Sequence, residues 1–381
     1  MPGMRFEKWP TAGDGFVGVA ILDRPKALNS LDLDICAALH AQLQAWEQDA
    51  GAVAVVLRGE GGRSFCAGAD LRRLYAGMQD SPIGEPWANV YARQYFEVEY
   101  RLDYLLHTYA KPLLCWGEGI VMGGGVGLMM GATHRIVTPD TRYAMPEISI
   151  GLFPDVAGSW LLARLPKWLG QFMALTGAAL DAADCLHWGL ADHLLEGEQW
   201  PNLREVMGDL AWQGQCAHDS DLLHQALARL AQEHKHRPGP GPAQRYASRL
   251  AAACGQDTLA SLAQGLLNFA QDKDPWLTDA VSRFQAGSPG SARLGLTLQR
   301  LARHLSLADV FRMEYTAALH CVARNDLREG IRALIIDKDR NPRWDPVSLE
   351  AADDKWVRDF FRDPWPADQA HPLADLGVAV R

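Results

Sequence analysis

Met122-Gly-Gly-Gly-Val-Gly127, followed by Met145-Pro-Glu147 and Phe153-Pro-Asp155, is the stretch whose reading decides this chain. A glycine run leaves backbone N–H groups bare, because no side chain stands between them and an approaching oxygen. Two acids follow, Glu147 and Asp155, each in an apolar or proline-bearing setting. Donors for a developing oxyanion, with a carboxylate acting on the same centre, are the minimum apparatus for acyl chemistry.

Outward from that stretch, strands alternate with helices. Phe16-Val-Gly-Val-Ala-Ile-Leu22, Val53-Ala-Val-Val-Leu57, Pro112-Leu-Leu-Cys-Trp116 and Arg135-Ile-Val-Thr138 read as buried strands, closed by breakers such as Asp23-Arg-Pro25 and Gly59-Glu-Gly-Gly62. Leu31 to Trp46 carries apolar residues at helical spacing. The alternation predicts an α/β protein. Beyond about residue 160 the pattern is mainly helical: Leu161 to Leu175, Leu222 to Glu233, a helix resuming at Ala243, and Leu294 to His304. Ser288-Pro289 supplies a helix start, with serine as N-cap and proline in the first turn. His234-Lys-His-Arg-Pro-Gly-Pro-Gly-Pro242 reads as a breaker-rich loop with His234 and His236 solvated.

The 381 residues can bury a large core, and 48% apolar with 22% charged residues is ordinary for a globular protein. A net charge of −9 argues against a nucleic-acid partner, which needs clustered Lys and Arg. The seven cysteines are scattered and form no CxxC pair, so free thiols in a reducing compartment are expected, with no metal site. No signal-peptide pattern opens the chain, and no apolar run approaches the ~20 residues of a membrane span. A cytoplasmic protein with no membrane partner is expected. No GxSxG elbow, Walker loop or GxGxxG fingerprint is present, and the 12 histidines make no HExxH.

Each motif has a plainer reading beside the chemical one. Ser64-Phe-Cys-Ala-Gly-Ala-Asp70 and the glycine triplet are each readable as tight turns before helices. Together they can aim two N–H groups at one carbonyl oxygen, and losing one such donor typically costs a factor of ~10²–10³ in rate. Glu147 is readable as a helix cap, Asp155 as part of a Pro-Asp turn, and Glu99 as a residue on a solvated helix face.

Arg24-Pro-Lys-Ala-Leu-Asn29, Phe65-Cys-Ala-Gly-Ala-Asp70, Gly119-Ile-Val-Met-Gly-Gly-Gly125 and Met145-Pro-Glu147 resemble the crotonase (enoyl-CoA hydratase/isomerase) superfamily in order and spacing over roughly residues 5 to 200. More narrowly, Met145 to Val156, Met313-Glu-Tyr315, Arg328-Glu-Gly-Ile-Arg-Ala333, Ile336-Asp-Lys-Asp339 and Pro342-Arg-Trp344 resemble the 3-hydroxyisobutyryl-CoA hydrolases. The resemblance implies a crotonase-like spiral of ββα units: a CoA-thioester-binding catalytic core over residues 1–200, then a mainly helical region over 201–381. It implies Glu147 as the main catalytic carboxylate, activating water or attacking the acyl carbon itself. Asp155 would hold the substrate hydroxyl or the water, and the N–H groups of Ala69 and Gly124 would form the oxyanion hole. Glu99 would contact substrate, the backbone around Ala67 and Gly68 would meet the adenine, and Lys26 and Arg63 would offer charge to the phosphates. The substrate is an acyl-CoA, so CoA enters as part of it and no separate cofactor is implied. Members of the superfamily often form trimers; the long C-terminal extension could cover the surface used, which leaves homo-oligomer and monomer both open.

Three departures stand out. Hydratases of the superfamily carry a second Glu two residues after the glycine triplet, where this chain has Gly127. A glycine has no side chain to hold water, which disfavours two-carboxylate hydration and favours thioester hydrolysis, with 3-hydroxyisobutyryl-CoA of valine breakdown first and 3-hydroxypropionyl-CoA second. Enoyl-CoA hydration or isomerisation, or a silent CoA-binding protein, are the alternatives. Ala69 and Ala157 stand where the hydrolases commonly have Gly.

Overall fold

A computed structural model describes residues 3–232 and 238–378. The chain folds as two compact units that alternate along the sequence. The first comprises Met1–Gly68, Leu102–Tyr143 and Leu180–Arg245; the second comprises Ala69–Arg101, Ala144–Ala179 and Tyr246–Arg381.

In the first unit a six-stranded sheet runs in the order β1 (Gly3–Pro10), β2 (Phe16–Asp23), β3 (Ala52–Gly59), β5 (Leu113–Gly117), β7 (His134–Val137), β9 (His193–Leu194). The β1–β2 pair is antiparallel and every later pair is parallel. Parallel strands covered on both faces read as continuous apolar runs, which is why β2, β3 and β5 were legible in the sequence. Val17, Val19 and Ile21, with Ala54, Val56, Leu114, Trp116 and Ile136, join Leu203, Met207, Leu223, Leu227 and Leu230 in one buried cluster. The last five come from the helices Trp200–Asp209 and Cys216–Gln232. A smaller sheet, β4 (Ser64–Cys66), β6 (Ile120–Met122), β8 (Arg142–Ala144), carries the two glycine turns. Its three-residue strands are too short to show a period, so sequence patterning did not find them.

The second unit is helical. Phe172, Leu175, Leu250, Leu262, Leu266, Leu277, Val281 and Phe284 form its core together with Ile148, the neighbour of Glu147. Ser288 caps the helix Pro289–Ala302, accepting from the Ser291 N–H at 2.9 Å, as its sequence predicts. The helix expected over Leu161 to Leu175 is two helices, Gly158–Arg164 and Lys167–Thr176. Pro166 separates them, because the residue before a proline is driven out of the helical region; Leu165 has ψ 164°. The helix expected from Leu31 starts at Leu33, since the Asp32 side chain accepts from the Ile35 N–H. Val90–His107, whose residues to Arg101 belong to this unit, is the helix that carries Glu99. His234 and His236, read as solvated, lie outside the described residues. All seven cysteines are free. Among the described residues no helix is long and apolar enough to cross a membrane.

Gly125 is a packing glycine: a Cβ there would stand 2.3 Å from the Cys66 carbonyl oxygen. Gly125→Ala is expected to cost about 1–3 kcal/mol by forcing β4 and the helix Gly124–Met130 apart. A denaturant midpoint equal to that of the wild type would contradict this packing.

Candidate active site

In the first unit, the segment after β4 is held by the Arg24–Asn29 turn. The buried Asn29 amide donates to the carbonyls of Glu60 (3.0 Å) and Ser64 (2.7 Å), and its oxygen accepts from the Arg24 N–H at 2.9 Å. Ala67 N–H donates to Leu28 O at 3.0 Å and Leu31 N–H to Gly68 O at 2.8 Å. The backbone expected to meet adenine is thereby fixed at both ends. Gly68 has φ +89°, and a Cβ on it would lie 3.1 Å from both the Gly124 nitrogen and the Met122 oxygen. The two glycine turns therefore approach as only glycine allows. Among the described residues no hydrogen bond occupies the N–H of Gly124 or that of Ala69, the first residue of the second unit. Lys26 and Arg63 are exposed. Gly127 is buried in the helix Gly124–Met130.

The second unit contains the carboxyl groups. Glu147, Asp155, Glu99 and Glu314 are 4%, 5%, 2% and 0% exposed. The plainer readings fail for two of the acids. Glu147 opens the short 3-10 helix Glu147–Ile150 without capping it, and its Oε2 is buried with no hydrogen-bond partner among the described residues. Glu99 faces inward and accepts from the Tyr95 hydroxyl at 2.8 Å. Asp155 accepts from the Tyr100 hydroxyl at 2.8 Å, while its backbone carbonyl closes the turn to the Gly158 N–H. Among the described residues no set of three or more His, Cys, Asp or Glu is arranged to hold a metal ion.

Removing a carboxylate from water penalises its charged form, and neighbouring carboxyls penalise it again. Burial, then Asp155, holds the Glu147 carboxyl well above the usual range, with Glu314 and Glu99 adding to it. Burial and then Asp155 likewise raise Glu99 well above that range. Burial pushes Asp155 up to about 6, against the pull of the Tyr100 hydroxyl bond. Burial, then Asp155, pushes Glu314 up to about 8, against two backbone N–H groups that favour its charged form. This is a site that keeps protons near neutral pH, the condition general acid–base chemistry needs.

The C-terminal block explains how the Glu147 turn is held. Gly330, in the helix Asn325–Ile331, packs so closely on Ile150 that a Cβ would lie 2.4 Å from the Ile150 carbonyl carbon. Ser288 N–H donates to Ile148 O at 3.0 Å. With Ile148 in the core, the turn is bolted on both sides of the catalytic candidate.

A family profile described as enoyl-CoA hydratase/isomerase matches residues 17–361. The chain belongs to the enoyl-CoA hydratase/isomerase family. It is similar to "3-hydroxyisobutyryl-CoA hydrolase, mitochondrial" of Gallus gallus, 35% identical over 91% of this chain and 87% of that one. The protein of the same description from Xenopus tropicalis is 32% identical over 91% and 86%. Among solved structures it resembles a carnitinyl-CoA dehydratase from Mycobacterium thermoresistibile, with TM-score 0.81 and 32% identity over 97% of this chain and 98% of that one. The crotonase-like fold and its mainly helical C-terminal region are as the resemblance implied.

Family members with these different names share a fold, so fold alone does not choose the reaction. Sequence reading placed Glu99, Glu147 and Asp155 among the site residues, and the second unit brings all three into one electrostatic cluster. It missed Glu314 and Tyr100. Glu314 stood inside Met313-Glu-Tyr315, read for resemblance, and Tyr100 beside Glu99; neither offered a local signal of burial.

A pH test follows from Asp155. Its folded carboxyl holds the proton more tightly than the ordinary value of 3.8, so the stability this contributes is full below about pH 4. It is lost as pH rises through about 6. Asp155→Asn, which can still accept from Tyr100, should therefore gain on the wild type by on the order of 2–3 kcal/mol between pH 4 and pH 7. Thermal unfolding at the two pH values checks this; a constant difference contradicts it.

Proposed function

We propose that this chain hydrolyses a short, branched 3-hydroxyacyl-CoA thioester: 3-hydroxyisobutyryl-CoA and water give 3-hydroxyisobutyrate and free CoA, a step of valine breakdown. 3-Hydroxypropionyl-CoA is the second substrate of this reading. The observation that carries it is the buried Glu147, with one oxygen unpartnered among the described residues, in a cluster with Asp155, in a chain whose position 127 has no side chain. The names of the Gallus gallus and Xenopus tropicalis relatives support the acyl group.

In this reading the Ala69 and Gly124 N–H groups take the charge that develops on the thioester oxygen. Such donors act most strongly where water is excluded. Glu147 drives the acyl step, either removing a proton from the attacking water or attacking the carbonyl carbon to form an anhydride that water then opens. On the base route the proton that ionised Glu147 takes from water passes to the departing thiolate. On the anhydride route ionised Glu147 attacks, the carbon–sulfur bond breaks, the thiolate takes a proton from solvent, and water adding to the anhydride returns Glu147 and the product acid. Asp155, steadied by Tyr100, holds the 3-hydroxyl or the water, and Glu99 lines the acyl end. The Ala67–Gly68 backbone meets adenine, with Lys26 and Arg63 toward the phosphates. No cofactor is proposed beyond the CoA of the substrate. A cytoplasmic location, from the scattered cysteines, is proposed with it; the two relatives are described as mitochondrial proteins.

Hydration is the second reading, favoured by the description of the Mycobacterium structure as a dehydratase. The missing acid at Gly127 opposes it. Retention of both Glu147 and Asp155 opposes a silent CoA-binding protein.

Glu147→Gln removes the base or nucleophile while keeping shape. It should lower kcat for thiol release by about 10²–10⁴ with KM little changed. Turnover at the wild-type rate would sink the mechanism. A single turnover of wild type in ¹⁸O-water tests the covalent route: label appearing in Glu147 marks an anhydride opened at its glutamyl carbonyl.

A further inference from the structure

The Asp155 turn is held in a conformation its own residues disfavour. Val156 has φ +52° and Ala157 φ +63°, both left-handed, and neither is glycine. A β-branched residue there is a genuine outlier, and two in succession persist only when the surroundings impose them. Beside the Gly158 N–H bond to the Asp155 carbonyl, one side chain holds the turn. Glu314, fully buried on the helix Leu307–Val322, accepts from the Ala157 N–H at 2.8 Å with Oε2 and from the Ser159 N–H at 3.0 Å with Oε1. One carboxylate thus spans the turn and the start of the helix Gly158–Arg164.

Burying a fourth carboxyl beside Asp155, Glu147 and Glu99 is costly, and an apolar residue of similar size would fill the space at less cost. What the carboxyl group supplies that such a residue lacks is a pair of oxygens that accept from two N–H groups. Asp155 immediately precedes the clamped residues, and its carboxyl accepts from the Tyr100 hydroxyl at 2.8 Å.

We propose that Glu314 is a positioning residue for the hydrolytic reaction: it clamps the left-handed Val156–Ala157 turn and so sets where Asp155 presents its carboxyl to the substrate. The inference rests on the hydrolase reading above. Glu314 acts through the backbone N–H groups of Ala157 and Ser159, so its removal should act on turnover more than on binding. The chain has Ala157 where glycine would adopt the same turn without strain, so glycine at 157 should partly replace the clamp.

The test measures thiol release from 3-hydroxyisobutyryl-CoA by wild type, Glu314→Gln, Glu314→Asp and the Glu314→Gln/Ala157→Gly double variant, each with its own kcat, KM and unfolding temperature. Glutamine turns an NH₂ toward one of the two N–H donors and loses that bond. The expected result is a fall in kcat of at least about tenfold in Glu314→Gln with KM within about twofold, part of it restored in the double variant. A Glu314→Gln enzyme that unfolds at lower temperature but keeps the wild-type kcat overturns the proposal, as does a loss confined to KM. Should Glu314→Gln not fold, Glu314→Asp decides: reduced kcat at unchanged KM supports the clamp, and wild-type kcat overturns it. An inactive wild type sinks the hydrolase reading and this inference with it; an active wild type with an unaffected variant sinks the inference alone.

Discussion

Four carboxyl groups share one dry neighbourhood in the second unit, and the construction of that unit follows from holding them there. Burial raises the proton affinity of Glu99, Glu147, Asp155 and Glu314, and Asp155 raises that of the other three further. A protein gains no stability from such an arrangement, because each group would be more comfortable in water. The cost is spread over two tyrosine hydroxyls, two backbone N–H groups and proton uptake. Glu147 Oε2 is fully buried with no hydrogen-bond partner among the described residues, and the proposed chemistry would use such an oxygen.

Holding those groups still falls to elements far apart in sequence. The helix Val90–His107 supplies Tyr95, Glu99 and Tyr100; the helix Leu307–Val322 supplies Glu314; the helix Asn325–Ile331 braces the Glu147 turn through Gly330. The segment beyond residue 300 is therefore part of the site's support, which accounts in physical terms for motifs such as Met313-Glu-Tyr315 and Arg328-Glu-Gly330 that carry no obvious chemistry. The first unit does a different job. Its sheet is stiff and apolar, and its glycine turns leave backbone N–H groups bare.

The sheet was legible because buried parallel strands are written as apolar runs, as in Phe16 to Leu22 and Val53 to Leu57. Helix starts were legible where a cap is local, as at Ser288. The short strands β4, β6 and β8 were not, because three residues show no period. Glu147, Asp155 and the glycine turns were legible as a constellation; Glu314 was not. A glutamate on an amphipathic helix looks solvated until the partners that bury it are known, and Glu314's partners are 157 and 155 residues away. The left-handed Val156 and Ala157 were hidden for the same reason: their conformation comes from the clamp, not from residue type.

The account stands on the chemistry being hydrolysis, not hydration. The most direct measurement is free CoA thiol released from 3-hydroxyisobutyryl-CoA, run beside crotonyl-CoA hydration followed by loss of enoyl absorbance. Rapid thiol release with negligible hydration is the predicted result. Hydration without thiol release would contradict the account and mean that another carboxyl takes the place left by Gly127.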